Sequence, residues 1–155
     1  MALWSPQFFN PYGPAAIKSH NLTSDNADLF TVTGKIAMTL LHGEVTTGSI
    51  ATTTTYQMRI KTTGEVLFTA LTITTDVVAT MYMHGGDNTV TMGNGATPIT
   101  RVGFLDGAGP LSPMIIGLTG GTATIESDLD GAGTGIIKWW LHWWPLEAGA
   151  NVVAA

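Results

Sequence analysis

From Leu29 onward, apolar and polar positions alternate in short bursts. The clearest burst runs from Thr52 to Lys61, where Thr54, Tyr56, Met58 and Ile60 alternate with Thr55, Gln57, Arg59 and Lys61. A period of two puts one set on an apolar face and the other in water, as a half-buried strand requires. Thr62-Thr63-Gly64 then turns the chain, and residues 66–75 make a hairpin partner in which Leu67, Leu71 and Ile73 share a face. Residues 29–34 and 36–42 read as two short strands separated by Gly34, and residues 77–84 as another, stopped by Gly85-Gly86-Asp87-Asn88. Residues 92–98 and 106–113 carry Gly and Pro and read as loops, with short strands at 99–104 and 114–118. In the last third, residues 123–129 and 135–145 form a hairpin across the turn Asp130-Gly131-Ala132-Gly133. No segment combines helical periodicity with a cap and a stop, and abundant Thr and Gly lower helix propensity nearly everywhere. The pattern predicts an all-β fold, a small β-barrel or β-sandwich of short antiparallel strands.

Residues 1–28 follow a different rule. Pro6, Pro11 and Pro14 interrupt Trp4, Phe8, Phe9 and Tyr12, and proline both removes a donor and disfavours helix in the residue before it. The segment reads as an extended N-terminal arm ahead of a β domain at 29–147 and a C-terminal tail at 148–155. Four rings on an arm with no core pattern of its own need a surface to dock on. Trp4, Phe8, Phe9 and Tyr12 are therefore candidate partner-binding residues.

A second aromatic concentration is Trp139-Trp140-Leu141-His142-Trp143-Trp144. In a strand, Ile137, Trp139, Leu141 and Trp143 point to one face, and Lys138, Trp140, His142 and Trp144 to the other. One face fills the core. The other, with Trp140 and Trp144, is expected to cover a neighbouring sheet or subunit. A carbohydrate platform is the competing reading, with Glu126 or Asp128 on the adjoining strand supplying carboxylates.

Composition narrows the function. At 155 residues the chain suits one core. Charged residues make up 11% of it, against about 25% in an ordinary soluble domain. No apolar run approaches the roughly 20 residues of a spanning helix, and solvent-side positions rich in Thr and Gly do not suit the polar lumen of an outer-membrane barrel. No membrane is expected as a partner. The start lacks a basic region followed by an apolar run, so no secretory signal is expected and synthesis is placed in the cytoplasm. With no cysteine, disulfides, thiolate metal sites and thiol nucleophiles are excluded. Net charge is −5, and the six basic residues Lys18, Lys35, Arg59, Lys61, Arg101 and Lys138 are scattered. A phosphate backbone needs a clustered basic face, so nucleic acid is not an expected partner.

Catalytic and metal-binding patterns are weak. His20, His42, His84 and His142 lack ligand spacing. Asp128-Leu129-Asp130-Gly131 resembles the start of a calcium loop, but Ala132 and Trp139 stand at its fifth and twelfth positions and offer no side-chain oxygen. No serine lies in a Gly-x-Ser-x-Gly elbow, and no phosphate-cradling loop is present. The expectation is a non-enzymatic chain with no cofactor and no metal.

The order of segments carries a resemblance. Leu29-Phe30-Thr31-Val32-Thr33-Gly34, then Gly43-Glu44-Val45-Thr46-Thr47, a Thr-rich strand, and Lys138-Trp139-Trp140-Leu141 leading to residues 145–155 resemble small virion proteins of tailed bacteriophages. Within that group, size, aromatic arm and β domain are most similar to capsid decoration, or cement, proteins. The resemblance implies a homotrimer on the capsid surface of the virion, made in the host cytoplasm, that clamps the major capsid protein. A receptor- or glycan-binding fibre module and a tail or baseplate subunit are the alternatives.

Overall fold

The computed structural model describes residues 13–23, 26–48, 55–84, 93–95 and 113–155, of which 93–95 are described as backbone. The fold is all-β, as expected: an antiparallel sheet that curls into a half-barrel, with no helix among the described residues. Its strands are β1 (Ala15–Asn21), β2 (Asp28–Thr47), β3 (Thr55–Ile60), β4 (Leu71–Thr72), β5 (Met81–His84), β6 (Gly93–Gly95), β7 (Met114–Leu129), β8 (Ile136–Pro145) and β9 (Asn151–Ala154).

β2 is the spine. Along one edge it pairs with β7 from Asp28 to Met38 and then with β5 from Leu41 to Glu44. Along the other it pairs with β9 from Phe30 to Thr33 and with β8 from Ile36 to Thr47. β1 extends the sheet beyond β8, and β3 then β4 extend it beyond β7. Lys18 Nζ of β1 donates to the Ala155 main-chain oxygen beside β9, joining two strands on the same side of β2.

Two strands are longer than their sequence suggests, and glycine is the reason. Gly34 does not end a strand. It sits within β2 at φ 67°, where the pairing with β7 shifts register between Thr33 and Lys35. Opposite it, Gly117 at φ 116° lies so close to the Gly34 carbonyl that no side chain fits. The segments at 114–118 and 123–129 are accordingly one strand, with residues 118–121 bulging from it.

Other expectations are corrected. Residues 123–129 and 135–145 do not form a hairpin: β7 pairs with β2 and β3, and β8 with β1 and the far edge of β2. The 130–135 turn crosses the sheet instead, held by hydrogen bonds between Leu22 and both Gly133 and Gly135. Residues 66–75 contribute little ladder. They follow β3 through Val66 and the two-residue β4, and bury Leu67 and Ile73 while Leu71 is half-buried. In 77–84 the strand is confined to Met81–His84, after a turn in which Thr75 and Ala79 both take positive φ. Gly93–Gly95, read as loop, pairs with β5. Of the N-terminal segment, Ala15–Asn21 lies in the sheet as β1, and within the tail Asn151–Ala154 lies in it as β9. The strand expected at 99–104 lies outside the described residues.

One core fills the curl, with Phe30, Met38, Leu41, Tyr56, Met58, Phe68, Tyr82 and Trp139 essentially sealed from water. Burial of side chains this large supplies the main stabilising term, roughly 1.5–3 kcal/mol for each large aliphatic or aromatic side chain.

Candidate functional site

The alternation along β8 divides the indoles as the sequence predicts. Trp139 and Trp143 point into the core; Trp140 is half-buried on the outer face and Trp144 is 39% exposed. Trp139 packs flat against Gly43 and between the rings of Tyr56 and Tyr82, at centroid distances of 5.3 and 5.8 Å. Trp140 and Trp144 thus lie on the face of β8 turned away from the core.

Register places those rings in a band across β1, β8, β2 and β5. Ile17 stands opposite Trp140, Trp140 opposite His42, and His42 opposite Met83. The next row reads Ser19, Lys138, Glu44, Met81. His42 stacks on Trp140 with centroids 4.8 Å apart and planes 8° from parallel, and on His142 at 5.3 Å. Lys138 Nζ lies 5.0 Å from the centre of the Trp140 ring, within cation–π range. Beyond them, Ala37 is flanked by Trp144 and by Ile115, which is 68% exposed.

Both histidines of the band are held neutral. Burial, and then the neighbouring His142, lowers the His42 pKa to about 4. Burial also lowers His142, partly offset by a hydrogen bond with the Gly13 backbone. Neutral stacked imidazoles keep the band apolar at neutral pH.

The outer surface over β3 and β7 is different in kind. Arg59 Nε donates to Glu126 Oε1 at 2.8 Å and Nη1 to Asp128 Oδ2 at 2.9 Å, while Lys61 Nζ donates to Asp28 Oδ1 at 2.8 Å. These carboxylates raise the pKa values of Arg59 and Lys61. Glu126 and Asp128 are thus committed to Arg59 on β3 and do not adjoin Trp140, because β7 does not pair with β8. The carboxylates assigned to a sugar platform are in the wrong place.

The buried polar groups tie strands together. His20 of β1 joins Tyr56 of β3 at 3.0 Å and Ser127 of β7 at 3.4 Å. Ser127 Oγ donates to the Ala27 carbonyl and accepts from the Ala27 amide. His20 Nε2–H therefore donates to Ser127, and Nδ1 accepts from the Tyr56 hydroxyl. All three side chains are essentially inaccessible, and burial followed by the Lys18 charge lowers the His20 pKa to about 4. Sequence reasoning missed this link because His20 sits among prolines and polar residues that gave no strand signal.

Among the described residues no group of three or more His, Asp or Glu side chains is placed to hold a metal ion. Trp4, Phe8, Phe9 and Tyr12 lie outside the described residues. No family model, curated protein or solved structure matches this chain. The surface carries an aromatic band over β1, β8, β2 and β5 and an ion-paired patch over β3 and β7.

Proposed function

We propose that this chain is a non-enzymatic structural subunit of a symmetric particle, acting as a decoration protein on a tailed-phage capsid. The observation that carries the assembly half is the outward band of Trp140, His42, His142 and Trp144 around a core already completed by Trp139 and Trp143. A contiguous aromatic surface of this kind marks an interaction site. The capsid half rests on the resemblance of most of residues 29–155 to small virion proteins.

In this role the subunit forms a closed homo-oligomer and bridges neighbouring copies of the major capsid protein. Binding the assembled lattice in preference to its disrupted forms stabilises the shell by mass action. Trp4, Phe8, Phe9 and Tyr12 supply ring anchors to grooves of the shell. The test is to heat capsids with and without saturating protein. A higher disruption temperature is expected with it; identical temperatures would overturn the role. Trp4→Ala and Phe9→Ala are expected to lower capsid occupancy without unfolding the subunit.

A further inference from the structure

We infer that the outer face of β1, β8, β2 and β5 is an interface with a second copy of this chain, about a two-fold axis running parallel to the strands between β8 and β2. The inference rests on the assembly reading above and names the partner of its aromatic band. Its basis is the order of residues across the strands. Rotation about such an axis reverses each row onto itself, since an isologous contact joins the same patch on both copies. The row Ile17, Trp140, His42, Met83 then sets Ile17 over Met83 and Trp140 over His42, apolar on apolar and ring on ring. The row Ser19, Lys138, Glu44, Met81 sets Lys138 of each copy over Glu44 of the other.

Charge selects this axis. Lys138 and Glu44 are cross-strand neighbours, yet among the described residues neither takes part in an ion pair. Lys138 turns to the face of Trp140 instead. A two-fold axis running across the strands through that row would lay Lys138 on Lys138 and Glu44 on Glu44, and one running between the two rows would lay Lys138 on Trp140 and Glu44 on His42, with no opposite-charge pair. The axis along the strands gives two opposite-charge pairs at the centre of an apolar contact, and like-charge juxtaposition disfavours the first alternative. The contact generates a dimer, where the resemblance to decoration proteins implies a trimer.

The experiment is to measure mass in solution by light scattering and sedimentation across a concentration series, for the native chain and for Glu44→Lys and Lys138→Glu. The native chain is expected at twice the 16.3 kDa chain mass. Each charge reversal places two like-charge pairs in the contact and is expected to weaken self-association at least about tenfold. Mixing the two variants is expected to restore a dimer, because each then meets its complement; circular dichroism confirms that both remain folded. A native monomer or trimer, or a mixture that associates no better than the variants alone, would overturn the contact. A dimer that leaves the capsid disruption temperature unchanged would retain the contact and overturn the capsid role. A trimer that raises that temperature would do the reverse.

Discussion

Gly43 lies flat against the indole of Trp139, so that a Cβ built on it would stand 2.5 Å from Trp139 Cε3 and Cζ3. Gly43 is not among the positive-φ residues, so its requirement is room and not backbone freedom. Trp139 has little room to retreat, because Tyr56 and Tyr82 pack on it. Gly43→Ala is expected to destabilise the fold by about 1–3 kcal/mol through overpacking. Urea unfolding monitored by tryptophan fluorescence measures it.

The two faces of β8 predict opposite consequences for adjacent residues. Trp139→Ala opens a cavity in the core and is expected to cost about 3–5 kcal/mol of folding stability. Trp140→Ala removes a half-buried outward ring and is expected to cost about 1 kcal/mol or less, while weakening self-association. Unfolding midpoints and solution mass, measured on both variants, separate the effects.

Acid should loosen the subunit. His20 and His42 have folded pKa values near 4, against 6.5 for a free ring, so the folded state binds their protons less readily than the unfolded chain. Their contribution is complete above about pH 6.5 and is lost as pH falls towards 4, and for sealed His20 it amounts to at most about 3 kcal/mol. His142 acts in the same direction. Burial raises the pKa of Asp76, although the Tyr82 hydroxyl donates to it, and this works the other way. Urea midpoints from pH 7.5 to 4 should fall, and His20→Gln should flatten the curve while lowering stability at neutral pH.

On the ion-paired surface, Arg59 matters more than Lys61. Arg59 reaches two carboxylates, and the Glu126 side chain is only 8% exposed. Removing Arg59 leaves that carboxylate poorly compensated, whereas the Lys61 to Asp28 pair is about half exposed on both sides and adds little. Arg59→Ala should lower the melting temperature clearly more than Lys61→Ala. Arg59→Lys should fall between native and Arg59→Ala, since a single ammonium cannot reproduce the fork to Glu126 and Asp128.

Alternation made the orientation of side chains legible before their partners were known. Tyr56 and Met58 face the core, Gln57 and Arg59 do not, and the four indoles of β8 divide as their spacing requires. Strand length and pairing were not legible. Gly34 and Gly117–Gly121 have the composition of turns, yet they lie within β2 and β7 because two strands with matching bulges can continue past them. Asp130-Gly131 has the composition of a hairpin turn but leads β8 to the far side of β2. Whether a turn returns the chain to its neighbour or carries it across is decided by which edge of β2 is already occupied. β1 escaped notice because its one large apolar residue, Ile17, faces outward, and its inward positions include Ala16 and His20.

The spine sets a timetable for folding. β2 spans residues 28–47, but β7, β8 and β9 all come after residue 113. A nascent chain must therefore carry a 20-residue strand with unfilled edges through the synthesis of more than half its length, and non-local pairing of this kind closes slowly. Until Asn151–Ala154 has emerged, the Phe30–Thr33 edge lacks its own β9 and is open to any other extended chain. Yield of this protein should therefore depend on how far apart its nascent chains are kept as well as on the stability of the finished fold.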